Sequence, residues 1–150
     1  MDTIIAVIAL VVSAVSLAVT YRSTRHQIIS TILSHLTDKS AEINTYIQNR
    51  LDSSQKGNYE GFSLTELDIS HIGTNVVSSR QLLDLHYKKH DLYLSLSDKQ
   101  YIVNSYYLQL HATIRTKLWE PNENSINNTT IKQQLIDSKE FLKEAKSTYK

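Results

Sequence analysis

Thr3 to Thr20 (TIIAVIALVVSAVSLAVT) is a continuous run without a charge, a glycine or a proline, followed at once by Tyr21, Arg22 and Arg25. At about 1.5 Å per residue, a helix over this run spans ~27 Å, close to the ~30 Å hydrocarbon core of a bilayer. Only a helix carries a single chain through lipid with its backbone hydrogen bonds satisfied, so the pattern predicts one transmembrane helix. Beyond it the pattern turns amphipathic. Ile29, Ile32, Leu36, Ile43 and Tyr46–Ile47 recur at three-four spacing, and no glycine or proline occurs before Gly57. One helix is therefore expected to leave the membrane and continue to about residue 53.

A loop is expected over 54–62, where Gly57 and Gly61 fall, and the capping-box pattern Ser63-Leu64-Thr65-Glu66 opens the next helix. Gly73 is expected to end that helix near residue 72, since glycine adopts the left-handed conformation without steric cost. A helix over about 74–96 follows, turning inward either Val76, Leu83 and Leu94 or Leu82, Leu85, Leu92 and Leu96. Ser97-Asp98-Lys99-Gln100 is a second capping pattern and starts a helix over about 98–120, with Val103, Tyr107, Leu110, Ile114 and Leu118 inward. Pro121 and the polar run after it break the chain. A last helix, about 129–149, uses Ile131, Leu135, Leu142 and Ala145. The fold class is all-α: a transmembrane anchor over 1–21 that continues into a small helical bundle over 22–150.

Two rival readings of the apolar run fare worse. A cleaved secretory signal has a positively charged start, whereas this chain begins Met1-Asp2 and places Arg22 and Arg25 just past the run. A buried core helix rarely goes eighteen residues without a charge. Positive flanks stay on the cytoplasmic side, so the amino terminus is expected outside and residues 21–150 in the cytoplasm, as a single-pass protein of the cell (inner) membrane. In that topology Tyr21, Arg22 and Arg25 are the interfacial anchor.

Composition adds exclusions. The chain has no cysteine, which rules out thiol catalysis and fits a reducing compartment. Sixteen Lys and Arg balance fifteen Asp and Glu, so no basic block points to nucleic acid and no acidic arm to disorder. Asn127 and Asn128 head two overlapping glycosylation sequons, which have no bearing on a cytoplasmic face. No hydrolase elbow, phosphate loop or dinucleotide fingerprint occurs, and no cofactor is implied.

His86 and His90 stand at i, i+4, a spacing that puts two imidazoles on one helical face, as two ligands of a zinc-like ion would be. A third ligand would have to come from His35, His71 or His111 through the fold. Arg80 and His86 form R-x5-H, which resembles the R-x4–6-H motif of the HEPN family of helical ribonucleases. That resemblance implies an all-α fold and RNA cleavage by Arg80 and His86 across a dimer. Gln81 departs from the polar residue that commonly follows the family's arginine.

The anchor itself carries a pattern. Ala6, Ala9, Ser13, Ser16 and Thr20 form a seam of small or hydroxyl side chains, which continues through Ser23, Gln27, Ser30 and Ser34. Large residues such as Ile4, Val7, Val11 and Leu17 lie on the other faces. In lipid, helices associate by close backbone approach and hydroxyl contacts, so this seam predicts association with itself or with another membrane protein. The expected function is a membrane-tethered, non-enzymatic interaction or scaffold subunit, its partners being the bilayer and a protein bound along the seam. A membrane-bound HEPN-like ribonuclease and a small membrane-disrupting toxin or pore former are the alternatives.

Overall fold

A computed structural model describes residues 2–54, 64–117 and 126–147. All regular structure among them is helical: α1 (Asp2–Ser54), α2 (Glu66–Lys89), α3 (Leu96–Gln109), α4 (Ala112–Lys117) and α5 (Thr129–Ser147). Helix α1 is 53 residues long, or ~80 Å at the standard rise. Its first part is long and apolar enough to cross a membrane, and residues 3–22 are exposed throughout. Its second part is the spine of the bundle.

The stripe along that spine is buried as the spacing predicts: Ile32, Leu36, Ile43 and Ile47 have no exposed surface, and Leu51 extends the row. Ser40 fills the gap between Leu36 and Ile43. Its hydroxyl lies 2.9 Å from the Thr37 carbonyl and 3.0 Å from Gln109 Oε1, which satisfies a polar atom inside the core. Helix α2 runs back along α1, α3 returns beside it, and α5 packs mainly on α2 with a lighter contact on α3.

Two arginines of α1 set this arrangement. Arg50 holds Asp68 with Nε–Oδ1 at 2.8 Å and Nη2–Oδ2 at 3.1 Å. Asp68 is the third residue of α2 and closes its capping box, accepting from the Thr65 N–H at 2.9 Å while Thr65 Oγ1 accepts from the Asp68 N–H. Arg25 holds Asp98 in the same way (2.9 and 2.7 Å), and Asp98 closes the capping box of Ser95 at the start of α3. The two arginines lie ~37 Å apart along α1, and the 24 residues of α2 cover ~36 Å. Helix α2 therefore just spans the distance from one clamp to the other.

Both capping boxes lie two residues away from the expected ones. The α3 cap is Ser95–Asp98 rather than Ser97–Gln100, because the carboxylate of Asp98 serves the cap and Arg25 together: Oδ2 accepts from the Ser95 N–H and from Arg25 Nε, and Oδ1 from Arg25 Nη2. The α2 cap is Thr65–Asp68, and Ser63 lies outside the described residues, as do the loop expected over 54–62 from residue 55 onward, Leu118, Pro121 and the end of the last helix from residue 148.

Gly73 does not end a helix; α2 runs through it. A Cβ at Gly73 would stand 3.2 Å from Gln134 Cβ, so the glycine permits α2 and α5 to approach closely. The Ser138 hydroxyl, buried between them, donates to the Gln134 carbonyl at 2.6 Å and lies 3.4 Å from that of Gly73. Helix α2 stops at Lys89 rather than near 96, and a turn over 90–93 follows. Val76, Leu83 and Leu94 are the inward set, whereas Leu85, Leu92 and Leu96 are exposed. The helix expected over 98–120 is broken: α3 ends at Gln109 and α4 starts at Ala112. Asn44 of α1 bridges the break, donating to the Gln109 carbonyl and accepting from the His111 N–H, both at 2.7 Å. On α5, Phe141 and Ser138 join the predicted Leu135, Leu142 and Ala145 in the core, and the Asn128 side chain caps the helix start.

Candidate functional site

The seam residues Ala6, Ala9, Ser13, Ser16 and Thr20 are all exposed, and so are Ser23, Gln27, Ser30 and Ser34 beyond them. The face follows from helical geometry. The core stripe passes through Ile28, Ile32 and Leu36, and the seam runs along the opposite side, so the bundle leaves it open. Thr20 Oγ1 donates to the Ser16 carbonyl at 2.9 Å, which occupies its hydrogen within the helix and leaves its oxygen available as an acceptor.

The flank of the apolar run also makes contacts across the fold. The Tyr21 hydroxyl donates to the Leu92 carbonyl at 3.0 Å, and its ring stacks on Tyr93 with centroids 5.4 Å apart. Arg25, one turn on, makes the two-pronged pair with Asp98. That guanidinium holds the Asp98 carboxyl down at about 2, against a smaller upward push from burial. Arg22 is exposed beside them. The α2–α3 turn is thus fastened to α1 where the uncharged run ends. Its own backbone is satisfied internally, with the Tyr93 and Leu94 N–H groups donating to the His90 carbonyl. Nothing in the local sequence pattern specifies this arrangement. The adjacency of Tyr21 and Arg25 on one face, and of Tyr93 and Asp98 across a turn, was its only trace.

His86 and His90 do share a face, with ring centroids 5.9 Å apart, and His35 of α1 approaches His86 to 5.8 Å. Burial, then the neighbouring His35, His90 and Lys89, push the His86 pKa below its ordinary value. His71 instead stacks on Tyr46 at 4.2 Å, and His111 Nδ1 accepts from the Thr113 N–H at the start of α4. Among the described residues, no group of three His, Cys, Asp or Glu side chains is arranged to hold a metal ion.

Arg80 and His86 point to different neighbours. Arg80 reaches α5, 3.9 Å from Glu140 and from Glu144, with its guanidinium over the Phe141 ring, whereas His86 faces α1. Six positions on a helix advance the side chain by roughly 240°, so one chain does not bring the pair together. Comparison with protein-family models, with curated proteins and with solved structures finds no match for this chain.

Proposed function

We propose that this chain is a membrane-tethered helical module without catalysis of its own. Helix α1 crosses the bilayer once, with the amino terminus outside and the bundle on the cytoplasmic side, where Arg22 and Arg25 are retained. The module associates with a second copy or with another membrane protein along Ala6, Ala9, Ser13, Ser16 and Thr20, and the bundle is the part it presents. The observation that carries this reading is that eighteen uncharged helical residues are all exposed, yet continue without a break into the spine of the bundle. Exposing that much apolar side chain to water is costly, and a bilayer removes the cost.

The test separates the seam from the lipid face. Ala9→Leu with Ser13→Leu abolishes the close approach on which packing in lipid depends, while insertion is kept or improved because leucine partitions better than serine. Val7→Leu with Val11→Leu enlarges the other side and leaves the seam intact. With expression equal, cross-linking in membranes should fall for the first pair and persist for the second. Parental cross-linking in both would leave α1 as a tether only.

A further inference from the structure

The α2–α3 turn carries a set of residues that the bundle does not use. Among the described residues outside α1, Leu92 at 88 % and Leu96 at 73 % are with Leu67 the most exposed large apolar residues. Leu92 lies in the turn and Leu96 opens α3, and large apolar side chains left exposed so near one another in the chain ask for a partner. Where the turn sits says which. Tyr93 forms one wall of an apolar groove of about 510 Å³ whose other wall runs along α1 from Ala14, Leu17 and Ala18 past Thr20 and Tyr21 to Thr24. Ala14 lies six residues inside the end of the uncharged run, ~9 Å along the helix. The Tyr21 hydroxyl grips the Leu92 carbonyl, and side chains on a helix lean toward its amino terminus, so the turn sits level with Tyr21 or on the apolar side of it.

We propose that this turn is a second membrane contact, in which Leu92 and Leu96 enter the bilayer interface beside α1. The proposal rests on the reading of α1 as a membrane span. If residues 3–20 occupy the hydrocarbon, a turn whose Tyr93 stacks on Tyr21 and shares a groove with Ala14 to Ala18 reaches the headgroup and upper acyl layer. Amphipathic elements commonly bury their apolar face ~5–10 Å deep there, the depth the groove indicates.

The polar groups of the turn suit that place. Its two carboxylates are both paired, Asp91 with Lys99 Nζ at 2.7 Å and Asp98 with Arg25, so neither approaches the membrane bare. Lys88 and Lys89, exposed at the end of α2, lie on the side where anionic headgroups attract cations. Tyr21 and Tyr93, stacked on one another, occupy the level at which tyrosines collect at membrane–water boundaries. Two contacts in place of one fix the tilt and rotation of the bundle relative to the membrane, and with them the face of the bundle that meets a partner.

The absence of native cysteine makes the test direct. Single substitutions Leu92→Cys, Leu96→Cys, Val11→Cys and Lys146→Cys are labelled with an environment-sensitive nitrobenzoxadiazole dye in the full chain. The protein is reconstituted in phosphatidylcholine vesicles containing a minority of phosphatidylglycerol. Both turn positions project from the fold, so labelling leaves its packing intact. Lipids with a nitroxide high or low on the acyl chain then report depth. Labels at 92 and 96 should emit to the blue of the Lys146 label and be quenched several-fold more by the shallow nitroxide, while the Val11 label is quenched by the deep one. Labels at 92 and 96 that behave like Lys146, with Val11 quenched, overturn the second contact and leave the membrane span standing. Blue-shifted labels at 92 and 96 that no lipid quenches mean that protein covers the turn, and also overturn it. A Val11 label that neither nitroxide quenches overturns the span and this contact together.

Discussion

Asn44→Ala should destabilise the bundle by removing both bonds that hold the α3–α4 break. The side chain donates to the Gln109 carbonyl and accepts from the His111 N–H, each at 2.7 Å, so its loss leaves one backbone acceptor and one donor without a protein partner. A hydrogen bond contributes about 1 kcal/mol net, and a buried orphan costs more than an exposed one. Asn44 is half-buried and the break lies beside buried Leu110 and Ile114, so the two losses together come to ~2 kcal/mol. With a urea slope of roughly 1–3 kcal/mol per molar, the unfolding midpoint falls by about 1 M in mild detergent, read by far-ultraviolet circular dichroism. The matched control is Gln48→Ala, one turn further along α1. Among the described residues Gln48 bonds the Asp52 side chain, at 3.0 Å on an exposed face, a contact contributing ~0.3 kcal/mol. Exchange of the His111 amide hydrogen should also accelerate several-fold in Asn44→Ala and not in the control. An Asn44→Ala midpoint no lower than that of Gln48→Ala, with His111 exchange unchanged, would refute the view that α1 holds the break.

Two further outcomes follow from the packing and the carboxylates. Gly73→Ala gains about 1 kcal/mol of helix propensity against a Cβ contact of 3.2 Å with Gln134, and should stay near the parent in a urea melt; Gly73→Val, whose branches have nowhere to go between α2 and α5, should lose ~2 kcal/mol or more, and equal stability of the two would mean that the helices are not in close contact. Asp68 and Asp98 are both held at about 2, Asp68 because bonds from Arg50, Thr65 and Tyr46 outweigh its burial, Asp98 chiefly by Arg25. A depressed carboxyl contributes stability that is complete above its unfolded value near 4 and is lost as pH falls toward 2. An acid titration of midpoints should therefore drop between pH ~4 and ~2, and Asp68→Asn with Asp98→Asn should flatten that window; an unchanged slope would mean that the clamps are not formed.

The parts of the fold legible in the sequence are those that depend on periodicity within one segment. The α1 stripe, the span of α5 and the uncharged run each declare themselves through spacing alone, because burial of one helical face selects apolar residues every three or four positions. The parts that were not legible depend on a residue far along the chain. Gly73 reads locally as a stop, yet α5 at Gln134 makes it a point of close approach. Leu110-His111 reads as helix interior, yet Asn44 supplies the bonds that allow a break there. Gln100 completes a plausible capping pattern, yet Arg25 favours the register in which Asp98 serves two helices at once. The same limit applies to the candidate site. Tyr21 and Arg25 are legible as the flank of the uncharged run, but their partners Leu92, Tyr93 and Asp98 stand about seventy positions away, and only the fold brings them there.

The division of labour around α1 bears on how association along the seam would work. Ile28, Ile32, Leu36, Ile43 and Ile47 face the bundle, while Ser23, Gln27, Ser30 and Ser34 remain open on the far side, in register with the seam above them. A partner helix laid along the seam from Ala6 to Ser34, ~42 Å of helix, therefore covers no buried core residue, and its lower end passes grooves that Gln27 shares with His86 and His90 of α2 and that Ser30 and Ser34 share with Asp98 and Tyr101 of α3. It would not compete with the core, and unfolding of the bundle would not be needed to admit it. Arg25 and Arg50 also stiffen the spine from the bundle side, tying it at two points ~37 Å apart. A helix so held loses little further freedom when it pairs, which lowers the entropic cost of association. The lower part of the seam is polar where the upper part is merely small. Close packing in lipid would therefore pass into serine and glutamine hydrogen bonding in water along one continuous face, the order in which the two environments make those contacts effective.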